Sequence, residues 1–195
     1  MKRQLINILL IFILGVVIYR VVKKINLNSK YEVGQPIDSL NSVIVYYNGG
    51  VDNNSGRNTS AENYNIGIKY QCVEFVKRYY LQHLNHKMPD AYGHAKDFFD
   101  VGLADSSMNS RRNLIQFTNP SRSKPKPDDL IIFSGTTFNK YGHVAIAASV
   151  HEDNIEIIQQ NPGPFGKSRD NISLNHSGNL WSLENSRILG WLRKE

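Results

Sequence analysis

Apolar residues recur with helical spacing in the segment that holds the single cysteine of the chain. From Cys72 onward they fall at positions 72, 75, 76, 79 and 80, and polar or charged residues occupy most positions between them. This spacing of three and four residues predicts an α-helix with one buried face. We expect the helix to begin near Cys72 and to end before Met88 and Pro89, because proline disfavours helical backbone in the residue before it.

Shorter apolar runs elsewhere predict strands, since β-branched and aromatic residues are enriched in them. The expected strands cover 43–47, 130–133, 143–150, 155–160 and 186–193, and a second helix is expected near 91–99. Residues 48–60 and 119–127 are rich in Asn, Gly, Ser or Pro and predict loops. Helices first and an antiparallel sheet afterwards predict an α+β fold, with N-terminal helices packed on the sheet.

A run that is apolar on every side occupies the N-terminus. Residues 5–19 are almost wholly apolar, and basic residues flank them on both sides, at Lys2, Arg3, Arg20, Lys23 and Lys24. The run predicts an uncleaved membrane-anchor helix, with a cleaved signal segment as the second interpretation. We therefore expect an anchor or signal over 1–24, a tether over 25–42 and one folded domain over 43–195. Two basic residues before the run and three after it do not favour an exported domain.

The length of 195 residues, 41% of them apolar, suffices for one domain with an appendage. The formal net charge of +6 is unevenly placed, because residues 1–24 hold five bases and no acid; the remainder has 18 bases against 17 acids, a net of +1. Such a domain does not predict nucleic-acid binding. A single cysteine excludes an intramolecular disulfide. The histidines lack acidic partners at metal-ligand spacing, so we expect no metal. We also expect no cofactor, and we expect the protein to be a monomer.

Candidate chemistry rests on Cys72, His143 and three amides. Cys72 falls in the first helical turn, where free N–H groups favour a thiolate, although most free cysteines are small buried hydrophobes. His143 opens a strand directly after a glycine. A hairpin turn at 151–154 places Gln159, Gln160 and Asn161 near His143, where an amide oxygen can accept from the ring N–H. A nucleophile, a base and a group that orients the base predict nucleophilic catalysis.

These motifs resemble the CHAP family, the cysteine- and histidine-dependent amidohydrolases and peptidases of papain-like fold. Residues 70–78 (YQCVEFVKR) look like the nucleophile helix of its glutathionylspermidine amidase branch, and 141–146 (YGHVAI) resemble its histidine strand. Residues 126–130 and 188–191 are similar to the entry turn and the closing strand. The resemblance implies that Cys72 is the nucleophile, His143 the base and Gln159 with Asn161 the orienting end, with the Cys72 N–H and the Gln71 side chain facing the oxyanion.

One position departs from the family pattern. The family usually has glutamate, any residue and asparagine on the return strand, whereas this chain has Gln159, Gln160 and Asn161. A neutral amide orients the imidazole but stabilises an imidazolium less than a carboxylate does, so reduced activity is expected.

The resemblance implies hydrolysis of an amide bond, with peptidoglycan peptide bonds as the expected substrate of a domain that faces the envelope. A glutathionylspermidine-type small amide, which fits a cytoplasmic domain, is the second expectation, and a catalytically idle binding domain is the third. The expected partners are therefore the amide substrate and, through the N-terminal helix, a membrane.

Overall fold

The structure is a computed structural model and describes residues 2–195. Its first half contains two α-helices, two short hairpins and a 3-10 helix. These are α1 (Lys2–Val22), β1 (Pro36–Leu40), β2 (Val43–Tyr46), β3 (Arg57–Thr59), β4 (Asn65–Ile68), α2 (Cys72–Gln82) and the 3-10 helix (Ala95–Phe98). Strands β1 and β2 pair antiparallel, and so do β3 and β4.

The second half forms one antiparallel sheet of eight strands. They are β5 (Ser107–Asn109), β6 (Leu114–Thr118), β7 (Leu130–Phe133), β8 (His143–Val150), β9 (Asn154–Ile158), β10 (Arg169–Ser177), β11 (Leu180–Leu183) and β12 (Ile188–Arg193). Their order across the sheet is β11-β10-β9-β8-β7-β12-β6-β5. The predicted α+β class is therefore correct, with helix before sheet along the chain.

Both faces of the central strands are buried, which explains their continuous apolar sequences. In β7, Leu130 and Ile132 pack into the cluster that contains the apolar face of α2. Ile131 and Phe133 point the other way, into a second cluster around Trp191. A strand between two apolar layers has no polar face, so its sequence shows no alternation.

One helix prediction needs a correction. Helix α2 ends at Gln82, before Met88 and Pro89 as predicted, and the His83 N–H caps it by donating to the Tyr79 carbonyl. The second helix predicted near 91–99 is only the four-residue 3-10 helix. Gly93, with φ of 108°, has a backbone conformation that a continuous α-helix does not contain.

Seven strands were not predicted from the sequence. They are β1, β3, β4, β5, β6, β10 and β11. Most of β10 is exposed, with Ile172 and Leu174 as its buried residues. Largely exposed strands of this kind are held by backbone pairing and carry little hydrophobic signal. Strand β3 lies within the segment 48–60, which was predicted to be a loop throughout.

The segment predicted as a tether is partly ordered against the domain. Residues 36–40 form β1, and the chain makes contacts from Lys23 onward. The Asp52 N–H donates to the Lys23 carbonyl at 2.9 Å, and the Lys23 ammonium pairs with the Asp52 carboxylate at 2.9 Å. A Cβ at Gly50 would lie 2.5 Å from that same Lys23 carbonyl oxygen, so the close approach requires glycine.

Helix α1 projects from the domain with none of its residues buried. Its mean hydropathy is 2.6 over a length that fits a membrane span. A signal sequence near an N-terminus has the same length and composition, so both interpretations of this helix stand.

Candidate active site

The sulfur of Cys72 lies at the N-terminal end of α2, which is anchored to the sheet. Phe75, Val76, Tyr79 and Tyr80 fix the helix, because their side chains are fully buried in the first core cluster. Gln71 precedes the helix in extended conformation and does not cap it with its side chain. Backbone N–H groups of Cys72 and Val73, and of Val144 on β8, bond to the sulfur. This last bond joins the nucleophile candidate to the residue that follows His143.

Burial dominates the acidity of the thiol. Cys72 is half-buried, and loss of hydration raises the pKa of its thiol to about 11, although the three backbone hydrogen bonds lower it. The N–H groups at the helix start thus favour the thiolate as predicted, but burial outweighs them in the site without a ligand. The resting form is a neutral thiol, which needs a base to take its proton during attack.

His143 owes its position to the turn that precedes it. Gly142 has φ of 75°, and a Cβ there would lie 2.5 Å from the Phe133 carbonyl oxygen. Phe133 is the partner of His143 across the β7–β8 ladder, and the two rings lie 5.8 Å apart between centroids. Glycine at position 142 therefore lets the strand begin close against β7, with the imidazole directed into a cleft.

The predicted contact between the histidine and an amide is present. His143 Nε2 lies 2.8 Å from Gln159 Oε1. The Gln159 amide is oriented by its other end, because its Nε2 donates to the Lys167 carbonyl at 3.2 Å. An oxygen facing the ring requires hydrogen on Nε2, which leaves Nδ1 of the neutral imidazole free to accept a proton.

Burial also keeps His143 neutral. Desolvation and, to a smaller extent, the Arg187 charge lower the pKa of His143 to about 4, while the bond to Gln159 acts in the opposite direction. A group with this pKa is an unprotonated base throughout the neutral range. Together with the raised pKa of Cys72, this gives a neutral thiol–imidazole pair rather than a preformed ion pair.

Gln160, the second amide, has a structural role. Its side chain is fully buried; Oε1 accepts from the Tyr46 N–H, and Nε2 donates to the Gln71 carbonyl and to Glu74 Oε2. Glu74 in turn binds the Arg78 guanidinium at 2.7 Å. The Gln160 amide thus joins the end of β9 to the first turn of α2. This connection fixes the position of Gln159 relative to Cys72.

The side chains of Asn161 and Gln71 bond to each other and also have a structural role. Asn161 Nδ2 donates to Gln71 Oε1 at 2.7 Å and to the Val51 carbonyl at 2.9 Å. Gln71 Nε2 donates to the carbonyls of Val51 and Asn53. Both amide hydrogens of Gln71 are therefore used, so the expectation that its side chain faces an oxyanion does not hold in this conformation. Within residues 2–195 the Asn161 side chain makes no hydrogen bond to the imidazole; it holds the loop at residue 51 and the Gln71 side chain.

Two clefts meet at His143. The first, called here the thiol cleft, encloses about 600 Å³ and is lined by Cys72, Gln71, His143, Asn161 and the loops near residues 51–54 and 91–95. The second encloses about 820 Å³ and is lined by His143, Gln159 and several basic residues. His143 and Asn161 line both of them. The imidazole thus stands between a space beside the sulfur and a space beyond Gln159.

Sequence reasoning missed two contributors to the site. Arg187 lies in the residues before β12, where its guanidinium Nη2 donates to the Ser134 carbonyl. The Lys167 carbonyl fixes the orientation of Gln159. The sequence around these two residues did not indicate a role in the site. Arg187 was predicted to be part of the last strand, and the Lys167 contact is made by a backbone carbonyl, which every residue has.

Comparisons with known proteins identify a family and two curated relatives. A family model described as "CHAP domain" matches residues 63–161. Trypanothione synthetase of Crithidia fasciculata is 31% identical over 133 residues, which are 66% of this chain and 20% of that protein. The bifunctional glutathionylspermidine synthetase/amidase of Escherichia coli (strain K12) is 28% identical over 138 residues, 65% of this chain and 22% of that protein. The chain thus spans about a fifth of the length of these relatives.

Similarity to a solved structure is more distant. The crystal structure of Ly7917 with the hydrolyzing product of MDP aligns with a TM-score of 0.39 and 17% identity, covering 64% of this chain and 54% of that one. A similarity of this degree supports no conclusion on substrate.

Proposed function

Because the chain belongs to the CHAP domain family, we propose that it is a cysteine-dependent amide hydrolase of papain-like fold. The observation that carries the proposal is the hydrogen bond of 2.8 Å between His143 and Gln159, in a cleft that also holds Cys72. This bond leaves His143 Nδ1 as a free base, and His143 lines the same cleft as the thiol. The proposed roles are nucleophile for Cys72, base for His143 and orienting group for Gln159.

The first step joins proton transfer to attack. The Cys72 thiol gives its proton to His143 Nδ1 as the sulfur bonds to the carbonyl carbon of the substrate amide. The carbonyl oxygen gains the negative charge, and we assign its stabilisation to the backbone N–H groups at the start of α2, those of Cys72 and Val73. Gln159 accepts from the imidazolium that forms and holds its ring in place.

The later steps release the two products. The His143 imidazolium gives its proton to the amide nitrogen, the C–N bond breaks, and the amine leaves an acyl thioester on Cys72. Water then gives a proton to His143 and attacks the thioester carbon, which releases the acid and restores the thiol. A neutral Gln159 stabilises the imidazolium through a dipole only, so we expect turnover below that of a site with glutamate.

The proposed substrate is a peptide bond of peptidoglycan, with the domain held by α1 on the outer face of the membrane. A second candidate, a glutathionylspermidine-type small amide at the cytoplasmic face, is supported by the relative of 28% identity, whose name includes a glutathionylspermidine amidase. A third, a catalytically idle binding domain, is supported by Gln159 in the position of the usual glutamate.

Hydrolysis assays on both substrate classes test the proposal. The full chain in detergent micelles is incubated with peptidoglycan fragments and, separately, with glutathionylspermidine, and released amine is measured. We expect one class to be cleaved by the unaltered chain and neither by Cys72→Ala. Cleavage that survives in Cys72→Ala would refute the role of the thiol, and binding without cleavage would identify the idle domain.

Replacing Gln159 with glutamate should raise the pKa of His143 and so make it a stronger base. A carboxylate beside His143 favours its charged form, and we expect the acid limb of Cys72 alkylation to move upward from about pH 4 by about one to three pH units. The Lys167 carbonyl would lose its donor, so a stability loss of about 1–3 kcal/mol is also expected. Iodoacetamide labelling followed by mass spectrometry measures the first effect and urea unfolding the second.

The control for this substitution is Gln159→Met, which keeps length but removes both the acceptor and the donor. We expect it to leave the acid limb below that of Gln159→Glu and to slow labelling. An acid limb that does not move in Gln159→Glu would show that Gln159 does not set the charge state of His143.

A further inference from the structure

The second cleft at His143, called here the basic cleft, has no assigned ligand. We propose that it is an anion-binding subsite of the same active site, in which Arg187 and Lys167 bind a carboxylate or phosphate group of the substrate. This inference rests on the proposed function and specifies its substrate as an amide that also carries an anionic group.

The charges that line the basic cleft favour an anion. Four basic side chains face it, and Asp170 is the acidic residue among the lining. The basic residues are Lys23, Lys167, Arg169 and Arg187. The Asp170 carboxylate already accepts the Asn171 N–H at 2.9 Å. Among the lining residues, basic side chains therefore outnumber acidic ones four to one in a space next to the proposed base.

Two of these bases are already neutralised. Lys23 pairs with Asp52 at 2.9 Å, and Arg169 pairs with Asp38 at 3.0 Å and with Glu156 at 2.7 Å. Within residues 2–195, neither Lys167 nor Arg187 takes part in an ion pair. The free positive charge of the basic cleft thus resides on those two side chains.

Arg187 has the features of an unfilled ligand-binding group. Its guanidinium is held at one end, where Nη2 donates to the Ser134 carbonyl at 3.1 Å, and it lies 5.9 Å from the Phe133 ring centroid. Its Nε is buried, and within residues 2–195 it has no hydrogen-bond partner. A buried donor of this kind normally has an acceptor, and a bidentate anion supplies two oxygens for it.

An anion on Arg187 would also assist the base. Lys167 approaches the cleft from the β9–β10 loop, Asp170 approaches it from β10, and Lys96 lies behind Gly142. Arg187 is the charged side chain whose field lowers the pKa of His143. A bound carboxylate or phosphate would offset that field. The imidazolium formed during attack would then cost less, so an anionic substrate would activate the site that cleaves it.

The basic cleft lies where α1 enters the domain, because Tyr19 and Lys23 are part of its lining. Phe138 and Phe165 border it with 75% and 71% of their surface exposed. The anion can therefore come from a soluble substrate or from a molecule held in a membrane, such as a lipid headgroup phosphate. The chemistry recognised is the same in both cases.

The test measures binding at His143 and needs no thiol chemistry. The full chain with Cys72→Ala, in neutral detergent micelles, is titrated with inorganic phosphate at constant ionic strength while the His143 ring signals are followed by NMR. We expect a saturable shift that becomes about tenfold weaker in apparent affinity with Arg187→Gln and is largely kept with Arg187→Lys. Arg122→Gln, an exposed arginine outside the cleft, is the matched control and should leave affinity unchanged.

Two outcomes would overturn the subsite: no saturable shift in the Cys72→Ala chain, or the same affinity after Arg187→Gln. Nanodiscs of phosphatidylglycerol and of phosphatidylcholine, without free phosphate, then distinguish the sources. A shift with phosphatidylglycerol alone supports a headgroup, and a shift with free phosphate alone supports a soluble anion. Failure of amide hydrolysis would be detected separately in the assays on the unaltered chain, so the two proposals fail independently.

Discussion

Replacing His143 with alanine should lower kcat/KM for amide hydrolysis by about 10²–10⁴-fold, the range for loss of a positioned general base. The thiol of Cys72, with its pKa raised to about 11, carries almost no thiolate at neutral pH. Without the imidazole the proton has no acceptor at the moment of attack. The amine released from peptidoglycan fragments or glutathionylspermidine, measured over a substrate series, gives the ratio.

The matched control for this substitution is His151→Ala on the same hairpin. His151 is exposed and bonds to Ser149, away from the cleft. We expect its kcat/KM to stay within about twofold of the unaltered chain, because surface substitutions away from special features change little. Equal losses in both variants, with unchanged unfolding midpoints, would show that His143 is not the base.

The second large effect is on stability. Glu74→Ala should lower the free energy of unfolding by about 3–5 kcal/mol, the cost of leaving a buried charge without its partner. Glu74 is 2% exposed and accepts from Arg78 at 2.7 Å, from Asn58 at 2.8 Å and from Gln160 at 2.9 Å. Urea unfolding of the full chain in micelles, with and without the substitution, measures the difference.

Glu62→Ala is the control, because Glu62 also pairs with a lysine, Lys87, but at an exposed site. Exposed ion pairs contribute about 0–1 kcal/mol, so we expect a small change there. A loss below about 1 kcal/mol in Glu74→Ala would contradict the network that joins α2 to the end of β9. It would also remove the structural reason for the placement of Gln159.

The sequence was sufficient to predict the elements that carry strong periodic or apolar signals. Strands β7 and β8 have the predicted bounds, and α2 begins at Cys72 as expected. Counting residues around the turn at 151–154 placed Gln159, Gln160 and Asn161 near His143, because a hairpin brings its two strands into register. The family resemblance singled out Gln159, and that contact is present. Local spacing therefore predicted much of the framework but did not decide which amide meets the histidine.

Other features depend on contacts that a single segment does not encode. The raised pKa of Cys72 comes from burial by distant residues, which outweighs the helix-start effect that the sequence suggested. Gln71 seemed free to face an oxyanion until its partners at 51, 53 and 161 were known. Arg187 reaches His143 only through the β7–β12 pairing, which is long-range in sequence.

The most direct test of the central claim is the pH profile of Cys72 alkylation by iodoacetamide in the full chain and in His143→Ala. We predict labelling of the unaltered chain that persists through the neutral range and falls only toward pH 4, where His143 becomes protonated. In His143→Ala, labelling should appear only as the pH rises toward about 11. Two superimposable profiles would mean that His143 does not activate the thiol, and the proposed mechanism would be wrong.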